Sequence, residues 1–280
     1  MTDLPVYSPS ETEDYLQCPR YRVLRRAIEP RTAVWAPNIT LGNTIHAGLA
    51  MYYDPRQHER SVADAQAIAR ATLEEGYQEQ DEWTLEGLWQ LAQRGMKATI
   101  DADLLNGVVI GTELAISRMR LDVLERYPDG LQTLDWKVKL KLEKRNLPYR
   151  VADFDPSWQL LQNAWGVRQA YGETPKWARA VLIVLSPRVF IHPHAIKITD
   201  ERLDDFGSSC AQVWRGMEGD RLAYDEGVLP PMNTRSCNAY GRPCDFKPFC
   251  HDLYGDMQQA LATLYQPKED TRSDEEHRAL

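Results

Sequence analysis

Along the first hundred residues apolar positions recur at helical spacing, and after Gly107 they alternate with polar ones. Leu41, Ile45, Leu49 and Tyr52 form one stripe of a helix from Leu41 to Tyr53, which Asp54-Pro55 stops. Ser10-Glu11-Thr12-Glu13 reads as a capping box that opens an earlier helix through Tyr15 and Leu16. Cys18-Pro19 breaks that helix, and a short basic helix resumes to Ala27. Ser61 to Leu105 predicts a long helical region interrupted near Asp81 to Thr84. Val108 to Arg126 and Leu131 to Leu142 alternate and are rich in β-branched residues. Between them lies Tyr127-Pro128-Asp129-Gly130, where proline presets one turn angle and glycine supplies a positive φ, so a β-hairpin is predicted. Trp158–Tyr171 predicts a helix, Ala178–Leu185 and Phe190–Ile198 two strands, and Glu201–Leu222 a last helix. That order predicts an α/β (α+β) domain with an N-terminal helical insertion.

Charge changes the picture in two places. The 280 residues carry 33 Lys and Arg against 41 Asp and Glu, a net charge of −8, which argues against a protein that coats nucleic acid indiscriminately. Basic residues nevertheless gather at Arg20, Arg22, Arg25, Arg26 and Arg31, and again at Lys137, Lys139, Lys141, Lys144 and Arg145. The end from Gln266 to Leu280 reads as a solvated, disordered acidic tail. No run of about 18 apolar residues is present to span a bilayer. The first residues lack the basic and apolar regions of a signal peptide, so a reducing cytoplasm is expected, where cysteines serve as ligands or core residues rather than disulfides.

The hairpin concentrates the candidate chemistry. Leu134, Trp136 and Val138 alternate with Asp135 and Lys137, and Leu121 and Val123 flank Asp122, so the acids and the lysine fall on faces that need not be buried. A two-residue loop at Pro128-Asp129 sets Asp122 opposite Asp135, whereas a three-residue loop with a bulge shifts the register and separates them. Two carboxylates about 5 Å apart repel unless a cation sits between them, and a hard divalent ion such as Mg²⁺ or Mn²⁺ suits oxygen ligands. A lysine beside that ion can steady charge developing on a phosphate.

Cys237, Cys244 and Cys250 follow one another at gaps of six and five residues amid Gly241, Pro243 and Pro248, a loop able to wrap a metal centre. A fourth thiol must come from Cys18 or Cys210. Cys210 lies on the stripe Leu203, Phe206, Val213, Trp214 and Met217 and reads as core, which leaves Cys18. Structural zinc draws on closer pairs, so these gaps favour a [4Fe–4S] cluster with zinc as the alternative.

Five short motifs occur in a telling order: Gly42-Asn43-Thr44-Ile45-His46, Glu113, Arg120-Leu121-Asp122, Asp135-Trp136-Lys137 and Trp158-Gln159-Leu160-Leu161-Gln162. With the cysteine frame they resemble the PD-(D/E)XK nuclease superfamily, within it the RecB-like branch that includes the iron–sulfur CRISPR-associated exonucleases. The resemblance implies a restriction-endonuclease-like mixed central sheet flanked by helices, with an iron–sulfur cluster joining the N- and C-terminal regions. It implies His46, Asp122, Asp135 and the backbone carbonyl of Trp136 as ligands of Mg²⁺ or Mn²⁺, Glu113 as a further contact, Lys137 as the catalytic lysine and Gln159 as the orienting glutamine. Relatives place a tyrosine four residues after that glutamine. Here the position is Asn163, which leaves Gln159 and Gln162 as alternatives. The same resemblance implies Cys18, Cys237, Cys244 and Cys250 as cluster ligands.

The expectation is therefore one nuclease domain over residues 1–265: helical over 1–106, catalytic over 107–232, cysteine-rich over 233–254, with the tail at 266–280. The implied activity is metal-dependent cleavage of DNA, most naturally by an exonuclease on single-stranded or end-bearing substrate. Arg20, Arg22, Arg25, Lys139 and Lys141 are the candidate DNA contacts. Protein partners in recombination, repair or phage DNA metabolism, no membrane, and the cytoplasm of a bacterium, archaeon or phage-infected host complete the picture. The rival readings are a non-catalytic DNA-binding or recombination-assembly subunit and a zinc-stabilised scaffold.

Overall fold

Residues 6–31, 35–79, 82–116, 118–142, 146–148, 157–238, 243–250 and 263–268 are described by the structure, a computed structural model. The chain divides into two compact units, Trp35–Phe206 and Met1–Val34 together with Gly207–Leu280.

In the first unit, α3 (Pro37–Tyr53), α4 (Val62–Gly76) and α5 (Leu85–Asp101) precede a five-stranded sheet. Its strands are β2 (Val108–Ile116), β3 (Met119–Tyr127), β4 (Gly130–Lys141), β5 (Trp177–Ser186) and β6 (Phe190–Lys197), paired in chain order. All pairs are antiparallel except β4 and β5, which run parallel because α6 (Trp158–Tyr171) returns the chain between them. The stretch from Val108 to Arg126, which alternation alone presents as one strand, falls in two antiparallel strands whose last pair is Ile116 with Met119.

Side-chain parity explains how helices cover the sheet. Leu41, Ile45 and Leu49 of α3 and Leu88, Ala92 and Met96 of α5 pack with Val123, Leu134, Trp136, Val181, Ile183 and Leu185. The stripe of α3 closes on Tyr53, 2 % exposed, with Tyr52 partly buried against the same cluster. The opposite faces of β3 and β4 supply Leu124 and Leu131, which pack with Val167 of α6. Gly166 leaves room there for Met119 Cε, the free end of a flexible side chain that a Cβ would oblige to move. Ser157 caps the start of α6 and Gly172, at φ 68°, ends it in the left-handed region.

The second unit opens with α1 (Pro9–Gln17) and α2 (Pro19–Ala27), separated at Cys18 as the proline requires. The capping residue of α1 is Ser8, not Ser10. Pro9 occupies the first helical position, Ser8 Oγ accepts from Glu11 N–H, and the Glu11 carboxylate accepts from Ser8 N–H. Strand β1 (Ile28–Pro30) pairs with β7 (Tyr265–Pro267), so ordered chain passes the start of the expected tail at Gln266. The rest of that tail, from Glu269, lies outside the described residues, as do Lys144 and Arg145. Helix α7 (Asp200–Asp225) buries Cys210 completely, with Leu203, Trp214 and Met217 also buried.

Candidate active site

The register of the hairpin decides what the acids can do. Tyr127 pairs with Gly130, whose φ is 138°, and the pairing runs to Val123 with Leu134, which is the two-residue loop register. The next positions along the two strands are Asp122 and Asp135. The Trp136 N–H donates to Asp122 Oδ2 at 2.6 Å. Both acids are buried, at 7 % and 2 % exposure, where the pattern alone did not require burial.

Two further ligand groups, His46 and Glu113, converge on Asp122. His46, on α3, places Nδ1 3.4 Å from Asp122 Oδ1. Ligand atoms of His46, Glu113 and Asp122 all lie within 4.8 Å of one another. Glu113 sits at φ 51°, a left-handed backbone that a glutamate adopts only where the surroundings hold it, and in a strand this redirects its side chain. Arg120 forms an ion pair with Glu113.

Asp135 is engaged differently. Gln159 Nε2 donates to Asp135 Oδ1 at 2.8 Å, Lys137 Nζ lies 2.7 Å from Asp135 Oδ2, and Lys137 also donates to Gln159 Oε1. These three side chains form a closed ring beside the trio. Gln162 is fully buried and accepts from Trp158 Nε1 at 3.1 Å, so of the two glutamines only Gln159 faces the acid and the lysine. Trp136 meets the site through its backbone, while its ring stacks on Tyr53 with centroids 6.2 Å apart.

The electrostatics describe a site that favours added positive charge. Burial, aided by Asp122, raises the Glu113 pKa. Burial pushes Asp135 up to about 6, opposed by Lys137 and reinforced by Asp122. Burial works against an imidazolium at His46, yet hydrogen bonding to Asp122 and the nearby carboxylates hold its pKa above the ordinary value. Two carboxylate donors and one imidazole at this spacing fit a hard divalent cation, which neutralises the repulsion without protons.

The profile of the PD-(D/E)XK nuclease superfamily matches residues 6–251. The chain belongs to that superfamily. The mixed five-stranded sheet flanked by helices is the architecture expected of such a nuclease. Among solved structures, the chain is similar to a candidate exonuclease from Eubacterium rectale, at 16% identity and a TM-score of 0.45 over 82% of this chain and 85% of that one. Among curated proteins nothing matches.

Elsewhere in this nuclease, Cys18, Cys237, Cys244 and Cys250 line one pocket, together with Gln17, Tyr21, Met232, Ser236, Phe246 and Lys247. The Cys244 amide donates to the Cys237 carbonyl at 2.8 Å, and the Asn233 amide donates to Cys18 Sγ at 3.4 Å. Burial raises the Cys244 thiol and pushes Cys250 up to about 11; the charges of neighbouring cysteines add to both, while the Arg20 guanidinium beside Cys250 opposes its shift. A metal centre would favour deprotonation of such thiols, but among the described residues only His46, Glu113 and Asp122 bring their ligand atoms within 4.8 Å of one another. Cys210 is fully buried in the helix stripe and does not line this pocket.

The basic candidates divide. Lys139 and Lys141 are exposed on β4 and share the face of Asp135 and Lys137. Arg25 is half exposed and paired with Asp14 at 2.6 Å, and Arg20 donates to the Pro230 carbonyl at 2.9 Å. Arg22 is withdrawn from any phosphate. It is 2 % exposed, its guanidinium lies 4.6 Å from the Tyr7 ring centroid, and it donates to the Met217 carbonyl. Helix α2 buries Arg22 with Val23 and Leu24 and leaves Arg25 and Arg26 exposed, a distinction that a run of arginines does not reveal. Among the described residues no helix is long and apolar enough to cross a membrane.

Proposed function

We propose that the protein hydrolyses DNA phosphodiester bonds with Mg²⁺ or Mn²⁺ held by His46, Glu113 and Asp122, with Asp135 and the Trp136 carbonyl beside them. The observation that carries this reading is the juxtaposition of the His46–Glu113–Asp122 trio with the Asp135–Lys137–Gln159 ring. A divalent ion there supplies Lewis acidity toward the phosphate and makes a nearby water easier to deprotonate.

The chain's own residues do the rest. Asp135 and Gln159 hold the Lys137 ammonium from two directions, which fixes it at the edge of the carboxylates. From there it can donate to a phosphate oxygen as negative charge builds in the transition state. Lys139 and Lys141 continue the same strand face and suit the backbone of a DNA strand. No side-chain pattern for reading base edges accompanies them, in keeping with cleavage of broad sequence range.

An exonuclease acting on single-stranded or end-bearing DNA is the form we favour, with a [4Fe–4S] cluster held by Cys18, Cys237, Cys244 and Cys250. The apolar flank of Tyr21, Met232 and Phe246 around those thiols suits a shielded cluster. Incubating purified protein with labelled linear and covalently closed circular DNA, in Mn²⁺ and in EDTA, tests the activity. Shortening of the linear DNA alone, only in Mn²⁺, is expected. Cutting of the circle points to an endonuclease, and intact DNA in every lane contradicts the reading.

A further inference from the structure

Beyond Val123 and Leu134 the hairpin strands no longer pair, and the acids sit where they part. Arg120 lies two residues beyond Asp122 along β3, and Lys137 two residues beyond Asp135 along β4, each on the same strand face as its acid and away from the turn. One step of two residues is about 6.7 Å along a strand. Two cations on separate strands therefore stand outside the carboxylates. Lys137 is held by Asp135 and Gln159, whereas Arg120 is anchored through its backbone opposite Ala115 and extends its side chain into solvent.

Arg120 is the more available of the two. Its side chain is 75% exposed, and the pair it makes is with Glu113, one of the three groups that converge with Asp122. The guanidinium end of this pair is open to solvent although Glu113 is 19 % exposed, so water screens and competes with the contact. A divalent cation at the trio both compensates the Glu113 carboxylate and repels the guanidinium. A guanidinium fork released at that place matches the two free oxygens of a phosphodiester.

We propose that Arg120 is a substrate-binding residue, exchanging Glu113 for a DNA phosphate next to the scissile one when the divalent ion enters. This rests on the nuclease reading above and adds to it a residue that contacts substrate. On this account Lys137 meets the phosphate from the β4 side and Arg120 meets the strand from the β3 side, and the bound ion gates the second contact.

The test compares Arg120→Gln and Arg120→Lys with their parent, all carrying Lys137→Met so that bound DNA survives. Binding to single-stranded DNA is followed by fluorescence anisotropy across a salt series in Mn²⁺ and in EDTA, and Mn²⁺ affinity is measured separately by calorimetry. In Mn²⁺, Arg120→Gln is expected to weaken DNA binding roughly tenfold and to reduce the salt slope by about 0.7, the increment of one single-strand phosphate contact. Arg120→Lys restores the slope, and Mn²⁺ affinity does not fall. An unchanged slope in Mn²⁺, or a slope change accompanied by weakened Mn²⁺ binding, overturns the proposal and assigns Arg120 to holding Glu113. Cleavage by protein with the natural Lys137 is measured alongside, so loss of this proposal and loss of the nuclease reading give different results.

Discussion

Gln159 Nε2 donates to Asp135 Oδ1 across 2.8 Å, joining the first turn of α6 to the middle of β4. The same glutamine accepts from Lys137 through its other amide atom, so one side chain fixes both the acid and the cation. Three residues on, Gln162 does neither.

That difference separates two substitutions of the same type. Gln159→Leu is expected to lower cleavage per folded molecule by roughly 10- to 100-fold, because it frees the lysine, and to cost about 1–2 kcal/mol of stability, because it leaves the buried Asp135 short of a donor. Gln162→Leu removes the acceptor of Trp158 Nε1 and is expected to cost about 1–2 kcal/mol of stability while sparing activity per folded molecule. Urea unfolding measured beside initial cleavage rates distinguishes the two.

Removing one member of the trio should be visible without DNA. Mn²⁺ at about 100 times its dissociation constant stabilises a folded protein by about 2.7 kcal/mol. His46→Ala and Glu113→Gln are expected to lose most of the Mn²⁺-dependent rise in melting temperature, whereas Lys137→Met is expected to keep it. Thermal melts with Mn²⁺ and with EDTA check this.

The cysteines divide four to one. Cys18→Ser is expected to abolish the visible absorbance of an iron–sulfur cluster and to lower iron and sulfide content with it. Cys210→Ala is expected to leave both intact and to cost about 1 kcal/mol of packing, since its thiol lies in an apolar stripe where burial pushes it up to about 12. Iron and sulfide determination on anaerobically purified variants checks this, and zinc in place of iron contradicts the cluster assignment.

Acid stability has a local source in the N- and C-terminal unit. Hydrogen bonds from Arg221, then from the Tyr7 hydroxyl at 2.6 Å, hold Glu218 down to about 2. A depressed folded value contributes stability that is complete above the unfolded glutamate pKa of about 4.3 and is lost as pH falls toward 2. The gap in urea midpoint between the natural protein and Glu218→Gln is therefore expected to be widest near pH 6 and to narrow below pH 4.

Much of this was legible in the chain because strong local physics acts there. Proline fixed the break at Cys18, and the Pro128-Asp129 loop set the register that brings Asp122 and Asp135 alongside each other. The spacing of Leu41, Ile45 and Leu49 marked α3, and with it the position of His46. Other features depend on tertiary geometry. Ser8 displaced Ser10 as the cap because both fit the same motif and only Pro9 decides between them. The left-handed backbone of Glu113, which aims it at His46 and Asp122, has no glycine or asparagine to announce it. Arg22 looks like its basic neighbours in sequence, yet Tyr7 and Glu11, from outside its own helix, draw it inward.

The central claim is that Lys137, held by Asp135 and Gln159 beside a divalent site, drives phosphodiester hydrolysis. It is tested most directly by single-turnover cleavage of labelled linear DNA in Mn²⁺, natural protein against Lys137→Met, with DNA binding measured on the same samples. Cleavage by the natural protein that EDTA stops, and a rate at least about 100-fold lower in Lys137→Met with DNA still bound, is the predicted result. Equal rates in the two proteins, or bound but uncut DNA with the natural one, would contradict it.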